Sequence, residues 1–121
     1  MNPLPWRWPP RAKAGAYALA NLVLLYLCLA PAKALPPEQM SDKAEHAIAW
    51  GVLTGLGLLF WPGLRVRVAA YALALGALVE VLQATLPLGR DGDWRDWIAD
   101  AIGVGLALAV GAALGALARR R

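Results

Sequence analysis

The apolar residues of this chain fall into four long blocks, separated by short polar or proline-containing segments. The blocks cover about residues 14–30, 42–61, 66–86 and 96–118. An α-helix needs about 20 apolar residues to cross a bilayer, so the pattern predicts membrane-spanning helices. The chain is 60% hydrophobic and 17% charged, whereas soluble domains average about 45–50% and about 25%. We therefore predict an all-α, polytopic membrane protein with four transmembrane helices in one bundle.

The basic residues predict the orientation of these helices. Of the twelve Lys and Arg residues, eight lie before the first block, between the second and third, or after the fourth, and four lie at the opposite ends. Short loops rich in Lys and Arg stay in the cytoplasm, so both termini are predicted to be cytoplasmic. This gives a cytoplasmic N-terminal segment at 1–13, a transmembrane domain at 14–118 and a basic cytoplasmic tail at 119–121. The orientation of the helices accounts for the excess of basic over acidic residues, and no nucleic-acid partner is expected.

The first apolar block has a second interpretation, as a signal peptide. It follows a basic segment and precedes an Ala-x-Ala sequence at Ala32 and Ala34, which is typical of a cleavage site. Cleavage would leave three spans and would place the two termini on opposite sides of the membrane. The apolar run is longer than a usual signal-peptide core, and this favours the four-span interpretation.

Ionisable and polar residues occur in pairs at helical spacing within the predicted spans. The pairs are Asp42 with His46, Glu80 with Gln83, and Asp96 with Asp100. Residues three or four apart share one face of a helix. The second and fourth helices begin outside and the third ends outside, so the three pairs are predicted to converge at the outer-leaflet side. Lys43 and Arg90 complete this predicted functional cluster.

Glu80 is the residue most indicative of a function, because it is a carboxylate inside an apolar span. We expect Glu80 and Asp100 to face the bundle interior, with Arg90 and His46 as their partners. Asp91 and Asp93 are interpreted as solvated loop charges. Small residues at helical spacing predict close helix packing. They are Gly51, Gly55, Gly76, Gly103, Ala107, Gly111 and Gly115.

Taken in order, these residues resemble the VanZ-like family of small bacterial integral membrane proteins. The family pattern reads D-K-x-x-H, then E-x-x-Q, and then R, D, N and G. The matching residues here are Asp42, Lys43, His46, Glu80, Gln83, Arg90, Asp96 and Gly103. Asp100 stands where the family usually has Asn. The resemblance covers about residues 14–118, and it implies a multi-pass protein of the bacterial cytoplasmic membrane with an envelope role like the teicoplanin resistance associated with the namesake.

Several functions are compatible with these residues. The resemblance and the outward-facing cluster favour a non-enzymatic protein that binds an envelope component or a glycopeptide antibiotic. Arg90 would anchor a phosphate or carboxylate, and His46 and Gln83 would form hydrogen bonds to the ligand. An intramembrane enzyme acting on a lipid headgroup or lipid-linked substrate is an alternative, with His46 as base or metal ligand and Glu80 and Asp100 as acid, base or ligands.

Proton-coupled transport and a purely structural role are further alternatives. Buried carboxylates and a histidine are the groups of a proton relay, but four spans are few for a carrier, so transport would require a homo-oligomer. No metal and no cofactor are predicted, because one histidine with scattered carboxylates lacks the spacing of zinc motifs. The expected partners are the lipid bilayer and a lipid-linked or antibiotic ligand.

Overall fold

The computed structural model describes residues 4–31, 42–89 and 92–120. Four α-helices follow one another along the chain: α1 (Pro10–Leu29), α2 (Asp42–Phe60), α3 (Arg65–Thr85) and α4 (Trp94–Arg119). Short 3₁₀ turns lie at Pro5–Arg7 and Pro62–Leu64. All regular structure within the described ranges is helical, which confirms the all-α prediction and its four helices.

The helix boundaries follow from local residues. α1 begins at Pro10, four residues before the predicted start, because proline fits the first turn of a helix. The turn at Pro62–Leu64 separates α2 from α3, since proline removes a backbone donor and does not continue a helix. α4 begins at Trp94, two residues early, because the carboxylate of Asp93 caps it by accepting a hydrogen bond from the N–H of Arg95 at 2.9 Å.

Three helical segments are long and apolar enough to cross a membrane: Pro10–Leu29, Pro62–Thr85 and Trp94–Arg119. α2 is not among them, because Asp42, Lys43, Glu45 and His46 occupy its first five positions. The outside of the bundle is nevertheless apolar on several helices. Leu22 of α1 is 64% exposed and Leu114 of α4 is 62% exposed. Extended apolar surface of this kind marks a membrane or protein contact rather than a face in water.

The closest helix contact joins α2 and α4 through glycine. A Cβ atom at Gly103 would lie 2.1 Å from the carbonyl oxygen of Ala47 and 2.9 Å from the backbone nitrogen of Gly51. Only a residue without a side chain allows two helix backbones to approach this closely. The crossing at Gly103 therefore sets the relative position of α2 and α4, the two helices that carry most of the predicted functional residues.

The core lies between α2, α3 and α4, around Trp50. This side chain is completely buried, and its indole N–H donates a 2.8 Å hydrogen bond to the carbonyl oxygen of Ala72 in α3. Buried tryptophans usually find such a partner, because an unpaired N–H would be costly away from water. Val79 and Val104 are also buried, and together with Trp50 they hold α2 and α4 against α3.

α1 is attached to α3 by polar contacts near its middle and its end. The hydroxyl of Tyr71 donates to the side-chain oxygen of Asn21, and the side-chain amide of Gln83 donates a 2.8 Å hydrogen bond to the carbonyl oxygen of Cys28. Asn21 and Gln83 are both buried. Hydrogen bonds between helices of this kind are a common means of association for helices whose surroundings are apolar.

Candidate functional site

Helix ends from α2, α3 and α4 meet at one end of the bundle. The first turns of α2 and α4 and the last turns of α3 contribute to this region. The side chains that lie together there are Asp42, Lys43, His46, Glu80, Asp96 and Asp100, which we call the polar cluster. All six belong to the set predicted from the sequence. The cluster joins residues that are up to 58 positions apart in the chain.

His46 lies at the centre of the polar cluster, and its ring is 6% exposed. Its Nδ1 atom is 2.7 Å from Oδ1 of Asp100. Its Nε2 atom is 3.7 Å from Oδ2 of Asp96 and 4.0 Å from Oδ2 of Asp42. The ring also stacks on Trp50, with 5.5 Å between the ring centroids. Carboxylates therefore face both ring nitrogens, while the indole restricts the rotation of the ring.

Asp100 is the most deeply buried member of the cluster, with no exposed surface. It occupies space that Gly76 leaves open on α3, since a Cβ atom at position 76 would lie 2.7 Å from Oδ2 of Asp100. The Oδ2 atom has no hydrogen-bond partner among the described residues. A buried carboxylate oxygen without a partner is costly, so this site needs a proton, a cation or a donor from a ligand.

Glu80 reaches the cluster from α3 and is 9% exposed. Its Oε2 atom accepts a 3.1 Å hydrogen bond from the backbone N–H of Asp93, while Oε1 has no partner among the described residues. The backbone N–H of Asp93 is thus part of the network around the cluster, whereas its side chain is partly exposed and pairs with Lys43. Asp91 lies outside the described residues. An aspartate just before an apolar helix is typical of an N-cap, so the sequence indicates that Asp93 caps α4 but not that it contacts Glu80.

Lys43 supplies the basic group of the polar cluster. Its Nζ atom is 2.6 Å from Oδ1 of Asp96 and 3.1 Å from Oδ2 of Asp93. The backbone N–H of Arg95 and then the Lys43 ammonium hold the pKa of Asp93 below its usual value. Arg90, predicted as a partner of Glu80 and Asp100, lies outside the described residues. In the described structure His46 is the partner of Asp100.

Gln83 lies outside the polar cluster. The Gln83 amide donates a hydrogen bond to the carbonyl oxygen of Cys28 and links α3 to α1.

The predicted packing residues fall into two groups. Gly51, Gly76 and Gly103 lie where atoms of a neighbouring helix come close to the glycine backbone. The remaining small residues of the predicted stripes line an open groove between α2 and α4, with a volume of about 860 Å³. They are Gly55, Ala107, Gly111 and Gly115.

One end of the groove lies at the α2–α4 crossing, near the polar cluster. Ala47, which follows His46 in α2, and Gly103, which lies one turn after Asp100 in α4, both line it. Trp6 lines it as well. No atom lies within 4 Å of a Cβ placed at Gly55, so the small residues leave free space here. None of the six residues of the polar cluster lines the groove. The groove therefore ends beside the cluster, at the close contact of Gly103 with Ala47 and Gly51.

The chemistry of the polar cluster favours positively charged groups. Its four carboxylates face one lysine and one histidine, and Asp93 adds a further carboxylate beside Lys43. Excess negative charge in a partly desolvated site attracts a metal ion, a protonated amine or other hydrogen-bond donors. Two sets of three side chains have ligand atoms within 4.8 Å of one another. They are Asp42, His46 and Asp96, and His46, Glu80 and Asp100.

No protein-family model, curated protein or solved structure matched the chain. The resemblance to the VanZ-like family therefore stays a prediction carried by the ordered residues of the sequence. What the chain does is inferred from its polar cluster and its groove.

Proposed function

We propose that the chain is a VanZ-like integral membrane protein of the bacterial cytoplasmic membrane, with four spans and both termini in the cytoplasm. α2 has 19 residues and is about 28 Å long, close to the ~30 Å of a bilayer core. Its charged residues are confined to the first turn, where they would lie at the membrane interface. With eight of the twelve basic residues on the other side, the polar cluster faces outward.

The function that this geometry supports best is binding of a lipid-linked envelope component. The observation that carries this proposal is that the apolar groove ends next to the polar cluster, since its lining residues Ala47 and Gly103 lie within one helical turn of His46 and Asp100. A ligand that fills both must have an apolar chain and a polar head. In a bilayer, lipids and lipid-linked envelope precursors have this form, and a groove between helices would admit them from the membrane.

The polar cluster also restricts the head of the ligand. Carboxylates outnumber basic groups in the described part of the site, so ammonium and hydroxyl groups are better suited to it than a bare phosphate. This differs from the expectation that Arg90 anchors an anion. Binding of a glycopeptide antibiotic at this site, or of the envelope molecule that such a drug recognises, would reduce the effect of the drug.

Filling the groove tests this function. Gly55→Leu places an apolar side chain in free space, since no atom lies within 4 Å of its Cβ position. We expect the wild-type protein to retain lipid in native mass spectrometry and to protect a sensitive bacterium against teicoplanin when expressed. We expect Gly55→Leu to fold and to lose most of both effects.

Gly105→Leu is the matched control, because Gly105 also has open space around it but does not line the groove. It should keep both the bound lipid and the change in drug sensitivity. Equal lipid content in the wild-type protein and in Gly55→Leu would contradict binding in the groove. A wild-type chain that leaves teicoplanin sensitivity unchanged would contradict the resistance-like role.

A further inference from the structure

We infer that His46, Glu80 and Asp100 bind one divalent transition-metal ion. The three residues come from α2, α3 and α4, and each offers a ligand atom within 4.8 Å of the others. They are 6%, 9% and 0% exposed respectively. The site goes beyond the proposed lipid binding, and it requires neither the groove nor a lipid ligand.

The ligand distances need only a small adjustment. Zinc lies about 2.0–2.2 Å from nitrogen and oxygen ligands, so two ligand atoms of a tetrahedral ion are about 3.3 Å apart. The Nδ1 atom of His46 and Oδ1 of Asp100 are already 2.7 Å apart. Since all three ligand atoms lie within 4.8 Å, movements of the carboxylate groups by about 1.5 Å or less would bring the set to the ligand spacing of one ion.

Two unpartnered carboxylate oxygens are independent support for a ligand. Oε1 of Glu80 and Oδ2 of Asp100 are buried and have no hydrogen-bond partner among the described residues. Two ionised carboxylates carry two negative charges, and a neutral imidazole adds none. A divalent cation bound between Glu80 and Asp100 therefore balances the charge of these two ligands.

The surroundings also fit a metal-bound histidine. When one ring nitrogen binds a metal, the other usually donates its N–H to a carboxylate that orients the ring. With Nδ1 as the ligand, the Nε2–H of His46 faces Oδ2 of Asp96 at 3.7 Å. Lys43 holds the other oxygen of Asp96 at 2.6 Å. Imidazole with carboxylates is a donor set that suits zinc and its neighbours, whereas magnesium and calcium prefer oxygen ligands alone.

Zinc binding to the purified protein tests the site. The full chain in mild detergent is stripped with EDTA and titrated with Zn²⁺, and bound zinc is measured by elemental analysis. We expect about one ion per chain, with a rise in melting temperature on binding. The isosteric variants Glu80→Gln and Asp100→Asn should each weaken binding by at least about tenfold and remove the thermal shift. Circular dichroism before titration shows whether each variant is folded.

Glu45→Gln is the control, since Glu45 lies on α2 beside His46 but outside the ligand set. It should bind zinc like the wild type. A folded wild-type chain that binds no zinc would overturn the proposal. Zinc binding that is unchanged in both ligand variants would place the ion elsewhere and would also overturn it. Co-purified lipid, measured in the same samples, reports on the proposed function separately.

Discussion

Replacing Gly103 by alanine is expected to destabilise the bundle by about 3 kcal/mol. The added Cβ would lie 2.1 Å from the carbonyl oxygen of Ala47 and 2.9 Å from the backbone nitrogen of Gly51. Both contacts are with backbone atoms, which cannot rotate away as a side chain can. α2 and α4 would have to separate along their crossing, and the separation would also pull His46 away from Asp100.

The measurement is the free energy of unfolding in mixed detergent and SDS micelles, followed by circular dichroism. Gly105→Ala is the control, because no atom lies within 4 Å of its Cβ position two residues further along α4. Alanine is favoured over glycine in a helix by up to about 1 kcal/mol, so this variant should be as stable as the wild type or more stable. A Gly103→Ala variant with the stability of Gly105→Ala would contradict the close α2–α4 crossing.

The second large effect is expected at the buried pair of His46 and Asp100. His46→Leu removes the partner at 2.7 Å from a carboxylate with no exposed surface. Removing one member of a buried pair typically costs about 3–5 kcal/mol, since the other is left uncompensated. We expect the free energy of unfolding of His46→Leu to be lower than that of the wild type by this amount. The measurement is made in EDTA, so that no bound metal ion contributes.

A second substitution distinguishes this charge effect from lost packing. In His46→Leu/Asp100→Asn the buried residue is a neutral amide, so the double variant should regain more than half of the stability lost in His46→Leu. His46→Leu/Glu45→Gln is the control and should regain none, because Glu45 lies outside the pair. If both double variants are as unstable as His46→Leu, lost stacking on Trp50, and not the charge of Asp100, accounts for the requirement for His46.

The helices themselves could be predicted from the sequence with small errors. Long apolar blocks, the first three ended by proline and the fourth by arginine, predicted all four. The differences at Pro10 and Trp94 came from proline placement and the Asp93 cap. Residues three or four apart share a helix face whatever surrounds the helix. For this reason Asp96 and Asp100 could be assigned to one face before the fold was known.

The contacts between helices were less predictable, because sequence spacing does not give the rotation of one helix against another. The pairing of Lys43 with Asp96 and the hydrogen bond from Asp93 to Glu80 depend on that rotation. Small residues were ambiguous for a related reason. Gly103 permits a backbone contact, whereas Gly55 leaves a gap, and the two positions look alike in the sequence.

In the proposed arrangement, four helices cross the membrane and the polar cluster faces outward. Cysteine labelling in intact cells tests it most directly. In a Cys28→Ala background, which removes the single cysteine of the chain, one variant carries Trp94→Cys at the cluster end and another carries Gly63→Cys at the other end. Trp94 is 68% exposed, and no atom lies within 4 Å of the Gly63 Cβ position.

We predict that a membrane-impermeant maleimide labels Trp94→Cys in intact cells, and that it labels Gly63→Cys only after the cells are permeabilised. If α2 does not cross the membrane and the N-terminus is cytoplasmic, position 63 lies outside the cell and position 94 lies in the cytoplasm. Labelling of Gly63→Cys in intact cells, with protection of Trp94→Cys, would therefore contradict the four-span arrangement and the outward-facing polar cluster.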